Sequence, residues 1–126
     1  MSVRMSRESP PLRAPYTSAG RKPLNVQLLT FPGCPNAAAA RERLRRVLES
    51  SNVLAEIEEV NTAAPETPGR LRGWGSPTIL IDGVDSEGQE APTGAGCRLY
   101  RDPAARLSGL PPEATLRAAV ARSRIP

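Results

Sequence analysis

Across Pro32-Gly33-Cys34-Pro35 the hydrophobic period of this chain changes, and that change restricts its fold more than any other feature. Upstream, Val26, Leu28, Leu29 and Phe31 form a mostly apolar run interrupted only by Gln27 and Thr30, the length and pattern of a largely buried strand starting near Asn25. Pro32-Gly33 breaks it. Downstream, from Asn36 to about Ser50, Ala37, Ala40, Leu44, Val47 and Leu48 recur on one face of a 3.6-residue period, with Arg41, Glu42, Arg43, Arg45 and Arg46 mostly on the others. Pro35 suits a first helical turn, where a missing N–H costs nothing. A strand therefore runs into a helix through a tight junction, and a cysteine sits in that junction.

The rest of the chain continues the alternation. Val53 to Val60 reads as a second strand, and the Pro/Gly-containing stretch 64–73 has room only for a short helix. Thr78-Ile79-Leu80-Ile81 reads as a third strand, stopped by the turn dipeptide Asp82-Gly83. Residues 84–96 are polar and Gly-rich, which predicts a loop. Cys97 to Arg101 is expected as a fourth short strand, and Pro111-Pro112-Glu113 opens a last helix with Leu116, Ala119 and Val120 on its inner stripe. The order β-α-β-(α)-β-β-α predicts an α/β domain with a four-stranded mixed sheet flanked by helices.

With 126 residues the chain has enough length for one domain with one modest core. Residues 1–23 hold Arg4, Arg7, Arg13, Arg21 and Lys22 against only Glu8, whereas the remainder carries 12 basic and 12 acidic residues. The net charge of +4 therefore belongs to the first segment. Rich in Ser, Pro and Arg and without a period, that segment is expected to be a disordered basic tail preceding a domain at 24–126. No basic domain face for nucleic acid is implied. No run approaches the ~20 apolar residues of a membrane span, and the arginines near the start are not followed by a signal-peptide core. A cytoplasmic location and reduced cysteines are the corresponding expectations.

The absence of histidine removes Ser-His-Asp and Cys-His mechanisms, and two distant cysteines do not make a structural zinc site. No cofactor is called for. Cys34 is the main candidate for chemistry. At a strand-to-helix junction the first free N–H groups and the positive end of the helix dipole favour a thiolate, the form that attacks electrophiles and binds soft metals. The plainer alternative is a buried cysteine that only packs. In Gly73-Trp74-Gly75-Ser76-Pro77-Thr78, a proline opens a strand although it cannot donate to the ladder.

Taken together, a cysteine after the first strand and a small residue, Pro and Thr opening a later strand resemble the thioredoxin superfamily, over about residues 25 to 123. The resemblance implies a thioredoxin-like fold, Cys34 as nucleophile and Pro77 as a cis-proline whose loop faces it. Ser76 and Trp74 then become candidate substrate contacts, although Trp74 also suits the edge of the core. This chain departs from the dithiol members, for Ala37 stands where the second cysteine of Cys-x-x-Cys would be. No glutathione-site signature is evident. With Gly94-Ala95-Gly96-Cys97-Arg98-Leu99-Tyr100-Arg101, the motifs also look like small bacterial thioredoxin-family proteins often labelled alkylmercury lyase. Organomercurial lyases use two cysteines and an aspartate, and here only Asp82 and Asp85 stand as substitutes for the latter.

Cys97 is open to two readings: the long loop before it returns it to Cys34, or it is a small buried hydrophobe in a strand. Arg98 and Arg101 read as solvated strand-edge charges, or as positive potential near a thiolate. Three functions follow. The leading one is a thiol-redox protein, in which Cys34 attacks a disulfide, a peroxide or a thiol adduct, the substrate being a small thiol or a protein disulfide, and Cys97 or an external thiol resolves it. The second is an organomercurial lyase or a binder of Hg(II) or another soft metal, with Cys34 and Cys97 as ligands. The third is a binding module that takes an extended peptide beside Pro77.

Overall fold

The computed structural model describes residues 2–4, 23–92, 94 and 96–124. Ten elements follow in order: β1 (Ser2–Arg4), β2 (Leu24–Thr30), α1 (Ala37–Ser50), β3 (Ala55–Asn61), α2 (Gly69–Arg72), β4 (Thr78–Ile81), β5 (Val84–Asp85), β6 (Tyr100–Arg101), β7 (Leu107–Ser108) and α3 (Glu113–Arg124). The main sheet has the order β1-β3-β2-β4-β5. β2 and β3 are parallel, with α1 as their crossover, and the other neighbours are antiparallel. This is the expected α/β architecture with a mixed sheet.

Period decides which face each side chain covers. Val26 and Leu28 of β2, Ile57 of β3 and Ile79 and Ile81 of β4 meet Leu44, Val47 and Leu48 of α1 and Leu116, Ala119 and Val120 of α3 in the main core. The strand residues of opposite parity, Leu29 and Leu80, join Leu71 of α2 and Trp74 in a smaller cluster on the other face. Each fully buried Leu or Ile contributes about 1.5–3 kcal/mol of transfer free energy, so two apolar faces on one sheet hold it between α1–α3 and the α2–Trp74 layer. Arg43 of α1 donates from Nη1 to the carbonyl of Pro111, two residues before α3, at 2.9 Å.

Three expectations need correction. First, most of the anticipated tail, residues 5–22, lies outside the described residues, but Ser2–Arg4 are a fifth strand of the main sheet, antiparallel to β3. The free edge of β3 offers unpaired main-chain groups, and an extended segment satisfies them whatever its composition. Second, the loop expected at 84–96 begins as a strand. Asp82 and Gly83, with φ of 50° and 84°, make a two-residue turn that sends β5 straight back along β4. Third, Cys97–Arg101 does not supply the fourth strand of the main sheet, because β5 already holds the edge of β4. Tyr100–Arg101 instead pair with Leu107–Ser108 in a separate two-stranded ribbon.

Candidate functional site

At the end of β2, Phe31-Pro32-Gly33-Cys34 form a tight turn closed by the Cys34 N–H, which donates to the Phe31 carbonyl at 3.2 Å. Proline at the second position presets φ, and glycine at the third supplies the φ of +82° that a type II turn requires. The turn leaves Cys34 three residues before α1, with only 9% of its surface exposed. α1 has no acidic residue in its first turn, and the side chain of its N-cap residue, Asn36, makes no capping hydrogen bond. That side chain packs instead on Gly109, where an added Cβ would stand 2.2 Å from Asn36 Nδ2. No acidic side chain of α1's own first turn offsets the positive end of its dipole beside Cys34.

The second segment is Gly75-Ser76-Pro77-Thr78, with a cis Ser76–Pro77 bond. Ser76 is fully buried and serves as a three-way connector. Its Oγ accepts from the Phe31 N–H at 3.3 Å. Its own N–H donates to the Gly96 carbonyl at 2.7 Å, and its carbonyl accepts from the Arg98 N–H at 2.9 Å. Cys97 is thus the parallel neighbour of Ser76. The segments carrying Cys34 and Cys97 are both hydrogen-bonded to one residue, Ser76. Cys97 is exposed, which corrects the reading of it as a buried hydrophobe, and both cysteines are free thiols. The Pro77 carbonyl accepts from the Tyr100 hydroxyl, and Thr78 Oγ1 donates to the Gly75 carbonyl at 2.6 Å.

Arg98 locks the Cys97 segment in place. Its guanidinium makes a bidentate pair with Asp85, Nη1 to Oδ1 at 2.8 Å and Nη2 to Oδ2 at 2.9 Å, and Nη1 also reaches Thr78 Oγ1 at 3.0 Å. It lies over the rings of Tyr100, at 4.6 Å, and Trp74, at 5.7 Å. The Arg98 side chain is 11% exposed and that of Asp85 not at all, so Arg98 is not the solvated strand-edge charge expected of it. Burial works against the guanidinium charge, but the Asp85 hydrogen bond and the surrounding negative groups outweigh burial and hold Arg98 above its ordinary value. Burial also pushes the Tyr100 hydroxyl well above the usual tyrosine range. Arg101, by contrast, is exposed as expected.

Trp74 is buried with Leu29, Leu71 and Leu80, the core-edge position that sequence reading offered as one of its two roles. Asp85 is committed to Arg98 and also accepts from the Glu87 and Gln89 N–H groups on Oδ2. Asp82 lies at the opposite end of β4 from Ser76, where it exchanges hydrogen bonds with Asn25 at the start of β2. A surface hollow lined by Pro23, Leu24, Asn25, Glu56, Asp82 and Ser123 opens at that same far end. Among the described residues no group of three or more Cys, Asp or Glu side chains could hold a metal ion, and no helix is long and apolar enough to cross a membrane.

The Asp85–Arg98–Tyr100 cluster escaped sequence reading. Its faint signal is parity: in Cys97–Arg101, Arg98 and Tyr100 share one side and Cys97, Leu99 and Arg101 the other. Hydropathy would turn Leu99 inward, yet Leu99 is 60% exposed and Tyr100 is buried. Comparison with known protein families, curated proteins and solved structures returned no match.

Proposed function

We propose that this chain is a thioredoxin-like thiol-redox domain in which Cys34 is the nucleophile and Cys97 the resolving thiol. The observation that carries the reading is Ser76, hydrogen-bonded on one side to Phe31 of the Cys34 turn and on the other to the residues flanking Cys97. A disulfide needs Cα atoms within about 7 Å, and a residue bonded to both segments, through its hydroxyl to Phe31 and through its main chain to Gly96 and Arg98, supports such a pairing.

The chemistry balances within the pair. The Cys34 thiolate attacks one sulfur of a disulfide R–S–S–R, forming Cys34–S–S–R and releasing the first thiolate. Cys97, as thiolate, attacks the Cys34 sulfur and expels the second, leaving a Cys34–Cys97 disulfide. The substrate disulfide gains two electrons and the cysteine pair loses two. The two thiol protons pass through solvent to the departing thiolates. An external thiol reverses the sequence by the same exchange.

Peptide mapping by mass spectrometry after mild oxidation, with no reductant, tests the reading. A linked Cys34–Cys97 peptide is expected. In Cys97→Ser the reaction should stop at the Cys34 adduct, and Cys34→Ser should form no adduct. Two thiols that never link, with no adduct at Cys34, would overturn the proposal.

A further inference from the structure

We infer, on the basis of that redox reading, that Arg98 is a positioning residue for disulfide formation: anchored on Asp85, it holds Cys97 in place for Cys34 and thereby sets the redox equilibrium of the pair. A thiol already held beside its partner loses little further freedom on linking, whereas one on a loose segment has first to be ordered. The main chain alone holds Cys97 weakly. Its pairing with Ser76 is a single parallel bridge, made of the Gly96 and Arg98 hydrogen bonds at 2.7 and 2.9 Å. Of residues 96–98, Gly96 has no side chain and that of Cys97 is exposed, so neither packs the segment onto the sheet. Two main-chain hydrogen bonds do not outweigh the entropy of fixing three residues.

Arg98 supplies the rest. Its guanidinium makes a two-point, charge-assisted pair with Asp85 of β5, at 2.8 and 2.9 Å, and reaches Thr78 Oγ1 of β4 at 3.0 Å. It also lies 4.6 Å from the centre of the Tyr100 ring. The anchor is itself fixed, for the Asp85 side chain is fully buried and its Oδ2 accepts from the Glu87 and Gln89 N–H groups. Arg98 thus joins the Cys97 segment to β4 and β5. With its charge matched by Asp85, its effect on the pair runs through the position of Cys97.

The test equilibrates the full chain with reduced and oxidised glutathione. The two thiols, Cys34 and Cys97, give two electrons and two protons to the oxidised form, yielding Cys34–S–S–Cys97 and two molecules of reduced glutathione. Mass spectrometry after acid quenching reads the linked fraction, and from it the effective concentration of one thiol toward the other. In Arg98→Met that concentration should fall about tenfold, which makes the potential about 30 mV less negative. Arg98→Lys keeps a cation opposite Asp85 but offers a point charge in place of the fork, so it should recover only part of the loss. Leu116→Ala removes packing in the main core, across the sheet from Trp74, and should keep the native equilibrium, since a residue that only stabilises the fold affects both redox states alike. An equilibrium in Arg98→Met no different from the native one overturns the inference alone, as does a native value for Arg98→Lys where Arg98→Met does not fold, or an equal shift in Leu116→Ala. If the native protein forms no linked disulfide at any glutathione ratio, the redox reading fails and the inference fails with it.

Discussion

Replacing Arg98 with Met tests the arrangement around Cys97 most directly. The substitution keeps a long apolar stem beside Trp74 and Tyr100 but removes the guanidinium. Asp85, whose side chain is fully buried, then loses both ion-pair hydrogen bonds, at 2.8 and 2.9 Å. Its Oδ2 keeps the N–H groups of Glu87 and Gln89, while its Oδ1 keeps none of its described partners. Breaking a buried pair from one side costs about 3–5 kcal/mol. The two surviving amides place Arg98→Met at the lower end, and lost ring stacking is partly replaced by sulfur–aromatic contact. About 3 kcal/mol is a large part of the 5–15 kcal/mol typical of a domain, and corresponds to a Tm lower by about 12–24 °C for about 100 residues. Urea unfolding followed through Trp74, the chain's single tryptophan, measures it. In Arg98→Met combined with Asp85→Leu the buried charge is gone, so most of the loss should return. A cost below about 1 kcal/mol, the range of a surface pair, or a double variant no more stable than the single one, would refute the reasoning.

Three further outcomes are expected. Gly75→Ala would set a Cβ 2.8 Å from Arg98 Cβ and 3.3 Å from the Gly96 carbonyl, so unfolding midpoints should show a loss of about 1–3 kcal/mol, with slower formation of the Cys34–Cys97 disulfide. Leu116→Ala, in a fully buried site between α3 and the sheet, should cost about 2–5 kcal/mol in the same assay. The third concerns pH. The hydrogen bond from Arg41 holds the Glu59 carboxyl below its ordinary value of 4.5 against the opposing effect of burial. Because the folded value is depressed, the pair's stabilisation is fully present above that ordinary value and is lost as pH falls through the folded one. Arg41→Met should therefore flatten the acid limb of a stability–pH curve, and with both side chains a quarter to a third exposed the change should stay under about 1 kcal/mol.

Much of the fold was legible because it is encoded locally. The β2–turn–α1 unit follows from a period of about 2 giving way to 3.6 across Pro32-Gly33-Cys34-Pro35. The inner stripe of α3 follows from the spacing of Leu116, Ala119 and Val120, all buried. Asp82-Gly83 announced its turn. The position of Cys34, three residues before α1, needed nothing beyond these neighbours.

Sequence by itself therefore determined where strands and helices form and which cysteine meets a helix terminus, since those choices depend on residues within a turn or two of each other. Only the tertiary structure decided which edges pair. A period of 2 marks a strand without naming its partner, and the edge of β4 went to Val84–Asp85 because a two-residue turn brings them back before any later segment arrives. Residues 96–98 were left to pair with Ser76, and the 13-residue separation of Asp85 and Arg98 closed into a buried ion pair. That pairing sets Cys97 in the residue stretch bonded to the Cys34 turn through Ser76. It depends on a free main-chain edge and a buried carboxylate in need of a cation, and both arise only once the sheet has formed.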